Sequence, residues 1–244
     1  SEESVCTYLR SNVAHMKKMI EEGYQDAATL QGRIDAVNEW LKDPKLLEAD
    51  ANAEYAAVIE IDLAEITEPI LACPNDPDDV KLLSDIQGTP IQDVFLGSCM
   101  TNIGHFRAAA EIWRGEKFNP NVRTWVCPPT RMDQAKLKEE AVFSVFSAMG
   151  ARPEIAGCSL CMGNQARVPD GVNMFSTSTR NFDDRIGNGA QVYLGSAELG
   201  AVTTTLGKLP TPAEYLAAYK EKVAPKADSI YKYLQFDEMD GYEK

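Results

Sequence analysis

Histidine is scarce in this chain of 244 residues, with His15 and His105 the only two. An imidazole-based zinc site has little to draw on, and the second Cys-x-x-Cys pair of a four-cysteine zinc site is absent too. No apolar run approaches the roughly 20 residues that a membrane-spanning helix needs. The opening residues Ser1-Glu2-Glu3-Ser4 lack the basic and apolar regions of a signal peptide. They also lack an initiator methionine, so a fragment of a longer chain is expected. Positive charge is short as well: 24 Lys and Arg face 37 Asp and Glu, a net charge of −13 at pH 7. Such a surface repels phosphate backbones, and an anionic substrate must find a local basic pocket. Six cysteines with neither framework spacing nor an export signal fit a reducing compartment, the cytoplasm by default.

What is present is ordinary for a globular protein, with 44% hydrophobic and 25% charged residues. Leu9, Val13, Met16, Ile20 and Tyr24 form one apolar stripe of a helix. Leu30, Ile34, Val37 and Leu41 repeat it after Gly23, with Asp26 placed as an N-cap. Residues 1–54 are therefore expected to be a helical segment. Residues 55–244 change character. Strands are expected at Val58–Asp62, Asp93–Gly97, Thr124–Cys127, Val172–Ser176 and Gln191–Leu194, with helices at Asn102–Trp113, Met132–Met149 and Ser196–Leu206. Short apolar strands alternating with helices predict an α/β domain on a mainly parallel sheet. Two further helices, Pro212–Val223 and Lys226–Leu234, follow on either side of Pro225. The run Cys73 to Asp79 reads as a loop into a helix N-terminus.

Three cysteines carry the chemistry. Cys99 stands in Gly97-Ser98-Cys99-Met100-Thr101-Asn102, and Cys158 and Cys161 in Gly157-Cys158-Ser159-Leu160-Cys161-Met162-Gly163-Asn164. Two thiols separated by two residues can reach one metal centre, and a third from a distant loop makes a three-thiolate site with one position left open. Cys99 follows a strand where a helix begins, the carboxyl edge at which open α/β sheets bind ligands. A helix N-terminus there lowers thiol pKa and favours anions. Spacing alone leaves an iron–sulfur cluster, zinc and a redox dithiol open. His105 is expected to cap or pack, and Cys127, at a strand end, to behave as a small hydrophobe. Cys6 and Cys73 have no companion spacing.

A second constellation, Ser176-Thr177-Ser178-Thr179-Arg180-Asn181-Phe182-Asp183-Asp184-Arg185, places two arginines after a strand among hydroxyl residues. Guanidinium forks grip carboxylates in bidentate geometry, so Arg180 and Arg185 are candidates for holding a multiply charged acid. The alternative is internal ion pairing with Asp183, Asp184 or Glu198.

Taken in order, the Cys99 motif, the Cys158/Cys161 motif and the run from Ser176 to Arg185 resemble the aconitase family, most closely its bacterial B branch. The resemblance covers about Ile59 to Leu216, and the leading helices look like that branch too. It implies an α/β fold of the aconitase iron–sulfur type, a mainly parallel sheet with helices on both faces, preceded by a helical pair. It implies that Cys99, Cys158 and Cys161 hold a [4Fe–4S] cluster whose fourth iron has no protein ligand. That iron serves the family as a Lewis acid in converting citrate to isocitrate through cis-aconitate. Arg180 and Arg185 match the family's substrate-binding arginines, while Thr179 stands where many members carry Asn. The family's base is a serine on a separate domain, in a Ser-Ser-Arg-type motif, and no such motif occurs here; nor do its Asp–His pairs or upstream glutamate. The resemblance thus implies a C-terminal, cluster-binding portion of an aconitate hydratase with no catalytic residue of its own, inactive in isolation. Its expected partners are the upstream domains of the same enzyme and the tricarboxylic acids, with no membrane. A 2-methylisocitrate dehydratase activity, messenger RNA binding by the cluster-free form and a zinc module are the alternatives.

Overall fold

A computed structural model describes residues 2–158 and 160–232. They fall into two compact units that divide after Ile61. The first contains α1 (Glu2–Glu21) and α2 (Ala27–Trp40), which pack on each other through a small core including Val13, Leu30 and Ile34. Asp26 caps α2 as its sequence position suggests, its carboxylate accepting the Thr29 N–H at 3.2 Å. The strand expected at Val58–Asp62 does not form. Val58 and Ile59 are about four-fifths exposed, at 79% and 81%, and no described strand pairs with this segment. An apolar run becomes a strand only where another strand satisfies its backbone.

The second unit is built on a seven-stranded sheet among the described residues. A short hairpin comes first: β1 (Ile70–Ala72) and β2 (Val80–Leu82), antiparallel and three residues each. The Cys73–Asp79 run is the turn of this hairpin, closed by the Cys73 N–H on the Asp79 carbonyl at 2.7 Å, and leads into β2 rather than directly into a helix. One turn, α3 (Leu83–Ile86), precedes β3 (Asp93–Gly97), every residue of which is buried. After it come α4 (Ile103–Trp113), β4 (Arg123–Cys127), α5 (Arg131–Glu139), α6 (Val142–Ala148) and β5 (Arg152–Pro153). Then follow β6 (Asn173–Ser176), β7 (Gln191–Leu194), α7 (Ala197–Leu206), α8 (Pro212–Ala218) and α9 (Ala227–Ile230). The single helix expected over Met132–Met149 is broken at Ala141, whose backbone is left-handed at φ +58°. The first tail helix ends in a π-helical turn at Tyr219–Val223, and Leu234, the expected end of the second, lies outside the described residues.

The spatial order β2-β1-β7-β6-β3-β4-β5 explains where a site belongs. Strands β7, β6, β3, β4 and β5 are parallel. The chain runs outward from β3 to β4 and β5, then returns to the other side of β3 as β6 and β7. Connections leaving β3 and β6 therefore diverge at their carboxyl ends, the switch point at which open α/β sheets bind ligands. One sheet face packs Leu96 and Phe175 so tightly on α7 that a Cβ at Gly200 would lie 2.7 Å from both side chains. The other face presents Phe95, Trp125, Met174 and Val192 to Cys161, Val168 and Ile186, so the cysteine-bearing connection is itself core. Among the described residues no helix is long and apolar enough to cross a membrane.

The entry into α4 is fixed by a reciprocal cap. The Asn102 side chain accepts the Gly104 N–H at 2.9 Å, and the Asn102 N–H donates to His105 Nδ1 at 3.1 Å. Replacing Asn102 with Ala is expected to lower unfolding stability by about 1 kcal/mol, the usual cost of losing an N-cap, read as a shift in the urea midpoint.

Candidate functional site

The first cysteine is presented by a sharply bent backbone. Gly97 ends β3 at φ +157°, and a Cβ there would lie 2.3 Å from the Cys127 carbonyl oxygen, so only glycine fits. Ser98 follows at φ +150°, a conformation L-residues rarely adopt. Its own side chain helps hold it: the Oγ accepts the Met100 N–H at 3.2 Å and lies 3.1 Å from the Thr101 hydroxyl. The Thr101 N–H closes the turn on the Ser98 carbonyl at 3.1 Å. Strain maintained by several surrounding bonds is typical of residues placed for function. The outcome is that Cys99 leaves a fully buried strand and emerges exposed at its carboxyl end.

The second and third cysteines come from the connection between β5 and β6. The Gly157 N–H donates to the Pro128 carbonyl at 2.9 Å, tying the approach to the end of β4. The buried Cys127 thiol reinforces this tie, donating toward the carbonyls of Ile155 at 3.1 Å and Gly157 at 3.3 Å. Burial pushes that thiol up to about 11, which keeps its proton in place for donation. Cys127 is thus more than the small hydrophobe its position suggested. Beyond Gly157 the chain makes a tight turn, with the Cys158 and Cys161 sulfurs 2.9 Å apart and the Cys161 thiol donating to the Cys158 carbonyl at 2.9 Å. Cys158 is half-buried and Cys161 buried.

Cys99 adjoins this pair. The Cys158 thiol is held below its ordinary range first by the hydrogen bond from Cys161, then, against burial, by the backbone N–H and thiol of Cys99 and the charge of Arg180. Burial pushes Cys161 up to about 12, with Cys158 adding to the rise and Arg185 opposing it. The three sulfurs named from sequence are therefore brought together from loops about 60 positions apart. Among the described residues no His, Cys, Asp and Glu side chains group to hold a single metal ion. A cube-shaped cluster makes a different demand, because it offers separate iron atoms to separate thiolates.

Arg185 supplies the second half of the site. It is only 4% exposed, and its Nη1 donates to the Cys161 carbonyl. Its Nε and Nη2 are buried without a partner. Burial draws the guanidinium below its ordinary range and Arg180 adds to that, while Cys161 opposes it. The backbone at Arg185 is packed against Gly163, where a Cβ would lie 2.7 Å from the Arg185 carbonyl oxygen. Arg180 is exposed at the rim. Neither arginine joins an ion pair among the described residues, so the internal-pairing alternative is not what the structure forms. Asp184 instead accepts the Gly189 N–H at 2.6 Å, and Glu198 accepts the Tyr231 hydroxyl at 2.5 Å. A buried cation with two unused donors is costly unless an anion meets it. Three thiols beside such a cation fit an anionic sulfide cluster and a carboxylate ligand.

Other residues fall into place around this centre. His105 caps α4 and so does what its position predicted. Asn181, which sequence reasoning passed over, is buried between the arginines in sequence and donates to the Cys73 carbonyl at 2.5 Å, tying their loop to the β1–β2 hairpin. Cys6 is buried in α1.

Comparisons with known proteins show what the chain is similar to. The model of the aconitase family (aconitate hydratase) matches residues 81–207, just over half of the chain. Aconitate hydratase B of Synechocystis sp. is 61% identical over 243 residues, which is 100% of this chain and 28% of that protein. Aconitate hydratase B of Salmonella typhimurium is 59% identical over 242 residues, 99% of this chain and 28% of that protein. The large subunit of 3-isopropylmalate dehydratase from Sulfurihydrogenibium sp. is 34% identical over 180 residues, 72% of this chain and 41% of that subunit. The chain spans a little over a quarter of the length of the aconitate hydratases it matches.

Proposed function

The chain belongs to the aconitase family, and on that premise we propose that it is the cluster-holding, acid-binding portion of an aconitate hydratase that interconverts citrate and isocitrate through cis-aconitate. In this reading Cys99, Cys158 and Cys161 hold a [4Fe–4S] cluster, and Arg180 and Arg185 bind substrate carboxylates. The single observation that carries it is Arg185: a buried guanidinium with Nε and Nη2 unpartnered, hydrogen-bonded to the backbone of the Cys161 turn. Such a cluster, when bound, supplies Lewis-acid chemistry at an iron without a protein ligand.

The chain's own residues do the rest of the work assigned here. Arg185, held rigidly by the packing of its loop on Gly163, fixes one carboxylate in a dry setting. Arg180, at the exposed rim, draws a polyanion toward an otherwise acidic protein. Hydrophobic side chains beneath the cysteine turn, Phe95, Trp125 and Met174 among them, give the cysteine turn a dry backing. Nothing in the chain is assigned as the base; that group, with the upstream domains, belongs to the portion of the parent enzyme outside this chain. The 3-isopropylmalate dehydratase relative supports dehydration of a hydroxy acid as the common chemistry, with citrate favoured over other acids by the much higher identity to aconitate hydratases. Six unpaired cysteines support a cytoplasmic setting. No observation favours messenger RNA as a partner.

The test is anaerobic reconstitution of the chain with iron and sulfide. The expected result is visible iron–sulfur absorbance, with isocitrate formation at background because the base is missing. Failure to take up iron and sulfide overturns the cluster assignment, and turnover at the rate of a whole aconitate hydratase overturns the division of labour.

A further inference from the structure

One side chain joins the two loops that meet at the switch point. The ladder between β3 and β6 ends with Phe95 opposite Ser176. The next residue, Thr177, extends it by one bond, its N–H donating to the Phe95 carbonyl at 3.1 Å. The backbone ladder then stops, because Gly97 and Ser98 turn away at φ +157° and +150°. Here the Thr177 hydroxyl takes over. It accepts the Gly97 N–H at 2.8 Å and donates to the Gly97 carbonyl at 2.8 Å, so one side chain satisfies both polar groups of a residue 80 positions away. Gly97 is two residues before Cys99, and Thr177 is three before Arg180.

We propose that Thr177 is a positioning residue that sets the Cys99 turn in register with the Arg180–Arg185 loop. The proposal rests on the reading of Cys99 as a cluster ligand, and it deepens that reading by naming what places the thiol. A hydroxyl is required, because only a group that both donates and accepts can close on the N–H and the carbonyl of the same residue. Serine keeps that group, whereas valine keeps the shape and loses both bonds. Ser98 cannot substitute for it, since its own Oγ is engaged with Met100 and Thr101.

The experiment compares wild type, Thr177→Val and Thr177→Ser in the reduced, cluster-free chain. The bifunctional thiol reagent dibromobimane is added anaerobically, and the cross-linked pairs are mapped by peptide mass. Wild type is expected to give Cys99–Cys158 and Cys158–Cys161 bridges. Thr177→Val is expected to lower the ratio of the first bridge to the second about tenfold, as two lost hydrogen bonds allow, and Thr177→Ser is expected to restore it. An unchanged ratio in Thr177→Val, or an equal fall in Thr177→Ser, overturns the proposal. Loss of both bridges together also overturns it, because Thr177 would then support the fold at large. The three proteins are next reconstituted with iron and sulfide, and the decay of visible absorbance in air is expected to be faster for Thr177→Val alone. If wild type takes up no cluster while the bridge ratio shifts as expected, the functional reading falls and the positioning role stands.

Discussion

Replacing Cys99 with Ser is expected to abolish the visible iron–sulfur absorbance of the reconstituted chain while leaving its fold intact. Cys99 is exposed and sits beyond the last buried residue of β3, so the substitution removes no core contact. Urea midpoints of the cluster-free proteins should agree within about 0.5 kcal/mol, as for surface changes. The chemical effect is large because a hydroxyl, unlike a thiol, does not ionise near neutral pH, and it is the thiolate that serves as a metal ligand. The neighbouring Cys158 also loses the Cys99 thiol that helps hold its own thiol below the ordinary range. Iron content and absorbance measured after anaerobic reconstitution check the prediction. A full cluster in Cys99→Ser would remove Cys99 from the ligand set. The same substitution at Cys161 is a poorer test, because that residue is buried in the sheet core and a polar swap there disturbs packing.

The second large effect concerns Arg185, where stability and function should move in opposite directions. Arg185→Met removes a buried charge whose Nε and Nη2 have no partner, at the loss of one hydrogen bond to the Cys161 carbonyl. Unsatisfied buried donors cost more than a single bond returns, and an apolar side chain of similar length fills the same space. The ligand-free variant is expected to be more stable than wild type by about 1 kcal/mol. Citrate should stabilise the wild-type reconstituted chain in proportion to its saturation, and that increment should vanish in the variant. Thermal unfolding with and without citrate reads both quantities at once. A variant that is less stable without ligand, yet still responds to citrate, would make Arg185 a structural residue and overturn its proposed role. Arg180→Met, at the exposed rim, should leave unliganded stability unchanged.

The two arginines show how far sequence reasoning reaches. Both were legible as a pair following a strand, yet nothing local distinguishes them. Burial does, and it arises because the loop carrying Arg185 is pressed on Gly163, 22 positions earlier in the chain. Cys127 illustrates the same limit, since its donation to Ile155 and Gly157 depends on the return of a distant connection. Elements of three residues, β1 and β2, are too short to carry a period. Conversely, Val58–Asp62 has strand composition but no partner, and Ala141 adopts a left-handed turn although alanine is the strongest helix former. Composition alone thus fails in both directions, since a strand needs a partner that the local sequence does not record.

The sequence by itself determined the α/β class, the parallel strands at β3, β4, β6 and β7 and the caps at Asp26 and His105, and it marked three thiols as candidates for one site. These follow from periodicity, capping chemistry and motif spacing, all of which act within a few residues. Only the tertiary structure decided that the thiols meet, that Arg185 is buried beside them with donors to spare, and that Thr177 joins their loops. Those outcomes depend on the strand order around β3. That order brings together residues about 60 to 80 positions apart, and no local pattern in the sequence records it.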